Sequence, residues 1–263
     1  MNYFVYNGVR STDMGVRIMS KNVFSAPKYD LTFQAIPGRN GDLINPNGRF
    51  PNVVVSYTCF LPAKSISELA EKITNLKAWL YTEPDRYHIL TDSYDTSFQR
   101  KAVFNNKLDI ADEINKIGTF TVNFSCQPFR FSIAGQKKSS HTATSFSLTN
   151  PYPFTAKPYL KIHGSGSGRV IVQSGSYNAI WSFLDIDEYV ECDSEMMNFY
   201  KDTVLKNDTV DGDGFPLLHQ GKNTITFDGG ITKVEIIPRW VSIWFQFFIK
   251  KIQRTFLPMV LAL

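Results

Sequence analysis

Four histidines, three cysteines and two acidic clusters are the groups in this chain best suited to hold a metal or attack a substrate. His88, His141, His163 and His219 are isolated, with no HExxH, no HxxxH and no acidic residue at ligand spacing, so zinc has no donor set. Cys59, Cys126 and Cys192 are odd in number and far apart, and none sits in a CxxC or CxxH pair. They read as buried free thiols rather than as a disulfide framework or zinc knuckle. Asp208, Asp211 and Asp213, with Gly212 and Gly214, superficially match a calcium loop, but the alternate ligand positions and the closing glutamate are missing. An acidic turn is expected there. Asp185, Asp187, Glu188 and Glu191 offer the paired carboxylates that a glycosidase needs. Interleaved with Ile186 and Val190, they read better as the solvated face of a strand. No GxSxG, no SxxK and no cysteine beside a histidine is present, so nucleophilic hydrolysis has no machinery. The expectation is a non-enzyme with no catalytic residue, no cofactor and no metal.

The elements that would position such groups are mostly strands. Asn7-Gly8 within Tyr3 to Arg10 suits the positive φ of a type I′ hairpin turn. Further strands are expected at Val16 to Met19, Tyr29 to Gln34, Val53 to Phe60, Arg86 to Leu90, Arg100 to Phe104 and Gly118 to Gln127. In the last of these, Phe120, Val122, Phe124 and Cys126 alternate with polar residues, the mark of a half-buried strand. One helix interrupts them. Ser65-Ile-Ser-Glu68 forms a capping box, and Ile66, Leu69, Ile73, Leu76 and Leu80 recur every three or four residues as one apolar stripe, ending before Pro84. Pro37-Gly-Arg-Asn-Gly41 and Asn45-Pro-Asn-Gly48 are dense in breakers and predict a projecting loop or hairpin. Read blandly it is a surface turn, and read sharply it is an arm reaching a neighbouring subunit, with Pro37, Gly38, Arg39, Asn40 and Gly41 as the contact residues.

Beyond Phe131 the pattern changes. Gly135 to Thr144 is polar and small and reads as a linker, which places a boundary near residue 135. Apolar runs then alternate evenly with turns at Tyr159 to Ile162, Arg169 to Gln173, Ala179 to Phe183, Tyr189 to Cys192, Asn223 to Phe227 and Ile231 to Ile237, as in a β-sandwich or jelly roll. Gly164-Ser-Gly-Ser-Gly168 fits no phosphate-binding fingerprint and reads as a flexible turn. The chain is thus divided into 1–134, 135–240 and a hydrophobic, basic segment at 241–263. In that last segment Lys250, Lys251, Gln253 and Arg254 interrupt the apolar run, which disfavours a membrane span.

Composition bounds the rest. With 263 residues, 43% apolar and 20% charged, the chain has side chains enough for two packed cores, and the 14% aromatic content favours strands. The net charge is only +4, and 1–132, 133–240 and 241–263 carry +3, −2 and +3. Affinity for nucleic acid comes from neutralised phosphates, so tightly held DNA is not expected. No basic stretch followed by an apolar core opens the chain, which points to synthesis in a cytoplasm.

Several segments in order resemble the distal tail proteins of long-tailed, siphovirus-type phages and prophages. Phe4-Val-Tyr-Asn-Gly-Val9, Ser11-Thr-Asp-Met-Gly15, Pro37-Gly-Arg-Asn-Gly41 and Phe124-Ser-Cys-Gln-Pro-Phe129 are similar to that family's N-terminal domain. Gly164 to Gly168, Asp185 to Asn198, Phe215-Pro, Gly221-Lys-Asn-Thr-Ile225 and Pro238-Arg-Trp240 are similar to its C-terminal galectin-like β-sandwich. The resemblance implies a mainly β fold of two domains, an N-terminal β-sandwich with one packed helix and a C-terminal galectin-like β-sandwich. It implies a structural virion protein at the tail tip, made in the host bacterial cytoplasm. Its copies would form a hexameric ring joining the tail tube protein to the tail-tip hub protein or baseplate, with a receptor-binding protein as a further partner. DNA would pass through without being held. Residues 241–263 are extra relative to the family. The rival reading is a carbohydrate-binding module for host attachment, with Trp181, Tyr177 and Tyr189 as stacking platforms.

Overall fold

The N-terminal half is built on two ten-residue strands whose alternation separates a buried face from a polar one. In the computed structural model, which describes residues 2–243, β6 (Val53–Pro62) buries Val53, Val55, Tyr57, Cys59 and Leu61. β10 (Ile117–Cys126) buries Gly118, Phe120, Val122, Phe124 and Cys126. The two run antiparallel with Phe120 opposite Cys59 and Phe124 opposite Val55, so both apolar sets share one side. Around this pair assemble β1 (Phe4–Tyr6), β2 (Val9–Arg10), β3 (Arg17–Asn22), β7 (His88–Asp92) and β8 (Phe98–Val103), in the order β2-β1-β7-β8-β10-β6-β3. β9 (Ile110–Glu113) pairs with the start of β10. The β1–β2 turn has φ of 49° at Asn7 and 77° at Gly8, the left-handed conformations a type I′ hairpin requires.

Helix α1 (Ile66–Leu80) covers the apolar face. The Ser65 hydroxyl accepts from the Glu68 amide at 3.3 Å and the Glu68 carboxylate accepts from the Lys64 amide at 2.8 Å, which satisfies two donors at the helix start. Leu69, Leu76, Trp79 and Leu80 are buried, whereas Ile66, counted in the sequence stripe, is exposed at the first turn. Trp79 takes the place the stripe lacked. Its indole donates to the Tyr6 carbonyl at 3.1 Å, and its ring lies 5.7 Å from Phe4. Phe4 and Tyr57 stack at 4.7 Å, as do Tyr6 and Phe124 in a tilted pair, so part of the high aromatic content is spent on this core.

One compact unit runs to Arg130 and a second spans Phe131–Ser242. β11 (Arg130–Ser132) carries the chain from one to the other. Three long strands dominate the second unit: β14 (Tyr159–Ser174), β15 (Tyr177–Asp193) and β19 (Gly221–Ile237). The first half of β14 pairs with the second halves of β15 and β19, and its second half pairs with their first halves. β12 (Ser139–His141), β16 (Asn198–Lys201) and β17 (Val204–Leu205) extend one half of this sheet. β13 (Ser145–Asn150) and β18 (Val210–Gly212) extend the other. Along β19 the buried positions switch from Asn223, Ile225 and Phe227 to Val234 and Ile236, and along β15 from Ala179, Trp181 and Phe183 to Ile186, Val190 and Cys192. A change of parity at mid-strand is what lets one continuous strand serve both layers of a sandwich.

Two local readings from sequence are corrected here. Gly164–Gly168 is no flexible turn but lies inside β14, where the register shifts. A Cβ on Gly164 would stand 2.3 Å from the Gly230 carbonyl oxygen, and one on Gly230 would stand 1.8 Å from that of Ser165. The glycines are there because two backbones meet more closely than any side chain permits. The segment Gly135 to Thr144 is not a free linker either, since Ser139–His141 pairs with Val234 to Ile236. Gly135 lies against Trp240, leaving 2.6 Å between a Cβ placed there and the Trp240 nitrogen. β20 (Val241–Ser242) is buried, and the expectations for the hydrophobic, basic segment fall beyond Ile243, outside the described residues.

Candidate assembly surface

The breaker-rich segment of the first unit folds into a hairpin. β4 (Leu31–Gln34) pairs with β5 (Leu43–Pro46) in a two-stranded sheet of its own, with Leu31 opposite Pro46, Phe33 opposite Ile44 and Gln34 opposite Leu43. Alternation puts Leu31, Phe33, Ile44 and Pro46 on one face and Thr32, Gln34, Leu43 and Asn45 on the other. The first face is apolar yet open to solvent: Phe33 and Ile44 each keep 55% of their surface exposed. An isolated two-stranded hairpin is marginal in water. This one is clamped at its base. The Asp30 carboxylate accepts from the Arg49 guanidinium at 2.8 Å and from the Asn47 amide group at 3.0 Å, and the Asn47 backbone donates to the Asp30 carbonyl at 3.0 Å. The Asn47 and Arg49 bonds hold the Asp30 carboxyl below its ordinary value. Tyr29 meets Phe50 edge-on at 4.8 Å, and Phe50 meets Phe129 at 5.7 Å, so an aromatic chain roots the arm.

Pro37, Gly38, Arg39, Asn40 and Gly41, the residues read from sequence as subunit contacts, all lie together at the exposed tip. Gly38 and Gly41 have φ of 79° and 83°, and the Arg39 amide closes a turn onto the Ile36 carbonyl at 3.1 Å. Sequence reasoning stopped at the tip and missed the Phe33–Ile44 pair behind it. The alternation of Leu31 with Phe33 and of Ile44 with Pro46 was the available signal.

A second surface of this unit is mostly polar, with Arg17 opposite Phe60 at one end. On the side of the sheet opposite the core, Ser20 and Asn22 of β3, Ser56 and Thr58 of β6, and Thr121, Asn123 and Ser125 of β10 lie side by side. The Ser56 hydroxyl donates to the Asn123 side chain at 2.7 Å.

The groups with catalytic or metal-binding chemistry are placed otherwise. Among the described residues no three His, Cys, Asp or Glu side chains gather at metal-binding distance, and no helix is long and apolar enough to cross a membrane. The His88 ring nitrogen meets the Glu83 carbonyl at 3.1 Å, and His141 stacks on Phe146 at 3.7 Å. Asp187 and Glu188 pair with Lys201 at 2.9 and 3.3 Å, and Glu191 accepts from the Tyr159 hydroxyl, so these carboxylates are engaged across the sheet. Asp211 lies in a strand, opposite Ser182, rather than in a turn. Trp181 is 1% exposed and donates to the Gly214 carbonyl at 2.9 Å, and the Lys161 ammonium sits 3.4 Å from the centre of the Tyr189 ring.

All three cysteines are free and buried, and burial pushes the Cys59, Cys126 and Cys192 thiols up to about 12. The thiolate is the reactive form. The folded chain is therefore expected to resist a thiol-specific reagent at neutral pH and to titrate three thiols in denaturant, which absorbance of the released chromophore measures.

The architecture has two mainly β units, a helix-covered antiparallel sheet and a galectin-like sandwich of long bent strands. It recurs in the solved structure of the Dit protein of phage SPP1, described as a paradigm of the hub adsorption apparatus in phages infecting Gram-positive bacteria; that structure superposes with a TM-score of 0.71 at 14% identity, over 90% of this chain and 97% of that one. At that identity the likeness is one of fold. Chains of the activated phage P2 baseplate give TM-scores of 0.49 with calcium and 0.44 with strontium, each at 8% identity. No protein-family model and no curated protein sequence matches the chain.

Proposed function

We propose that this chain is a structural hub protein of a phage tail, whose first unit joins with copies of itself into a hexameric ring between the tail tube protein and the tail-tip or baseplate proteins. The observation that carries this reading is the amphipathic arm, which presents Phe33 and Ile44 away from any core formed by the described residues. A rotated neighbour that covers this face makes a head-to-tail contact, and such contacts close into a ring when the rotation between neighbours divides a full turn evenly. The shared fold with SPP1 Dit, whose structure is described as a hub, supports the same reading. The protein works by holding others in place and performs no catalysis. The second unit serves as a docking module for tail-tip or receptor-binding proteins at the virion tail tip.

The conduit reading adds that DNA crosses the ring without being gripped. The outer face of β3, β6 and β10 is mostly hydroxyl and amide, with Arg17 at one end as its cation, and the residues up to 132 are only +3, too few charges to grip phosphates. Sugar binding has less support, because Trp181 is buried and Tyr189 already lies against Lys161.

Light scattering of Phe33→Ser/Ile44→Ser beside the parent chain tests the assembly. Burying the exposed part of each side chain contributes roughly 0.8 to 1.6 kcal/mol, so the double variant should self-associate more weakly by about tenfold or more. Both side chains are exposed in the single chain, so its melting temperature should hold. Unchanged association by the variant would remove the arm from the interface.

A further inference from the structure

The first unit contains three Asn-Gly pairs, Asn7-Gly8, Asn40-Gly41 and Asn47-Gly48, and the fold treats them differently. We propose that Asn40 is a site of spontaneous deamidation, converting the arm tip from a neutral amide to a carboxylate as the protein ages. The reaction needs the backbone nitrogen of the following residue to reach the asparagine side-chain carbonyl carbon. A glycine there offers no Cβ to obstruct it. The deprotonated Gly41 nitrogen attacks Cγ of Asn40, a C–N bond forms, and ammonia leaves with the side-chain nitrogen. Water then opens the five-membered imide at either carbonyl, leaving aspartate or a backbone-lengthened isoaspartate. No oxidant or reductant takes part.

Three features set Asn40 apart. Both residues are exposed, a Cβ on Gly41 would meet nothing within 4 Å, and among the described residues no hydrogen bond holds the Asn40 side chain or the Gly41 amide. Asn47 is restrained, because its side chain donates to Asp30 at 3.0 Å and to Thr32 at 3.3 Å and its backbone amide donates to the Asp30 carbonyl. Asn7 is restrained by the turn itself, with φ of 49°, its amide on the Ile89 carbonyl at 3.2 Å and paired Tyr6 and Val9 on either side. Reaching the attack geometry at Asn47 first breaks its two side-chain hydrogen bonds, and at Asn7 it unwinds the paired hairpin turn, which corresponds to a step slower by about tenfold or more. The new charge would stand two residues from Asp42. The inference concerns the free chain and stands apart from the arm's role in assembly.

Incubating the full folded chain in warm, mildly alkaline buffer and mapping its peptides by mass spectrometry with isoaspartate detection tests this. Conversion at Asn40 is expected to lead that at Asn7 and Asn47 by about tenfold, from the paired turn that Asn7 must unwind and the hydrogen bonds that Asn47 must break. The lead should vanish in denaturant, where the three pairs convert at similar rates, and Asn40→Gln should abolish the arm-tip product. Equal or slower conversion at Asn40 in the folded chain, or a lead that persists in denaturant, would overturn the proposal.

Discussion

Gly230→Ala is expected to destabilise the second unit by about 3 kcal/mol or more, the upper range for overpacking a close-packed site. The new methyl would stand 1.8 Å from the Ser165 carbonyl oxygen and 3.2 Å from that of Ser167. Both obstacles are backbone, so no rotamer change relieves them. The strands must part at the point where β14 and β19 shift register, and the bend shared by both layers goes with them. Gly166→Ala is the control. Gly166 has φ of 73° with nothing within 4 Å of a Cβ, so alanine there meets only the left-handed backbone penalty of about 1 to 2 kcal/mol. Hydrogen exchange of the β14 and β19 amides separates the two, with loss of protection at both strands in Gly230→Ala and little change in Gly166→Ala. Equal protection in the two variants would show that close approach is not what the glycines serve.

Arg239→Ala should cost about 3 to 5 kcal/mol, because it leaves a carboxylate buried without its cation. The guanidinium donates to both Asp193 oxygens, at 2.7 and 2.9 Å, and the Asp193 side chain is only 9% exposed. Burial alone would raise the Asp193 carboxyl, yet Arg239 and the Met196 and Glu195 amides hold it below its ordinary value. A carboxyl that titrates lower in the folded state than in the unfolded one, where it titrates near ~3.9, stabilises the fold fully above that pH. That contribution drains away as pH falls through the folded value. Urea midpoints should therefore show a wide gap between parent and variant at neutral pH, narrowing in acid. Adding Asp193→Asn should recover part of the loss by removing the stranded charge. A gap that stays constant from neutral pH into acid would mean that Arg239 acts through packing alone.

The strands of the first unit were legible because burial on one face writes a period of two into the residues, as in Phe120, Val122, Phe124 and Cys126. The helix was legible from its cap and stripe, although Trp79 escaped a count that followed aliphatic residues only. The glycine run at 164–168 misled because the same residue serves a flexible turn and a close backbone approach, and only the partner strand tells them apart. Asp228 to Gly230 is that partner, some sixty residues away in sequence, beyond the reach of local pattern. The arm was visible as punctuation, since Pro37 to Gly41 and Asn45 to Gly48 break regular structure. Its apolar face was only faintly so, because Leu31 with Phe33 and Ile44 with Pro46 each alternate over just two positions. A contact surface between copies has no period of its own. What marks it is exposure of side chains that would otherwise be core, and that is a property of the fold.

The most direct test of a ring-forming hub is electron microscopy of the negatively stained chain, alone and mixed with a phage tail-tip protein. The account predicts closed particles whose class averages show six-fold symmetry around an open centre, and their loss in Phe33→Ser/Ile44→Ser. Single-chain particles at every concentration, with the partner present as well as absent, would contradict it.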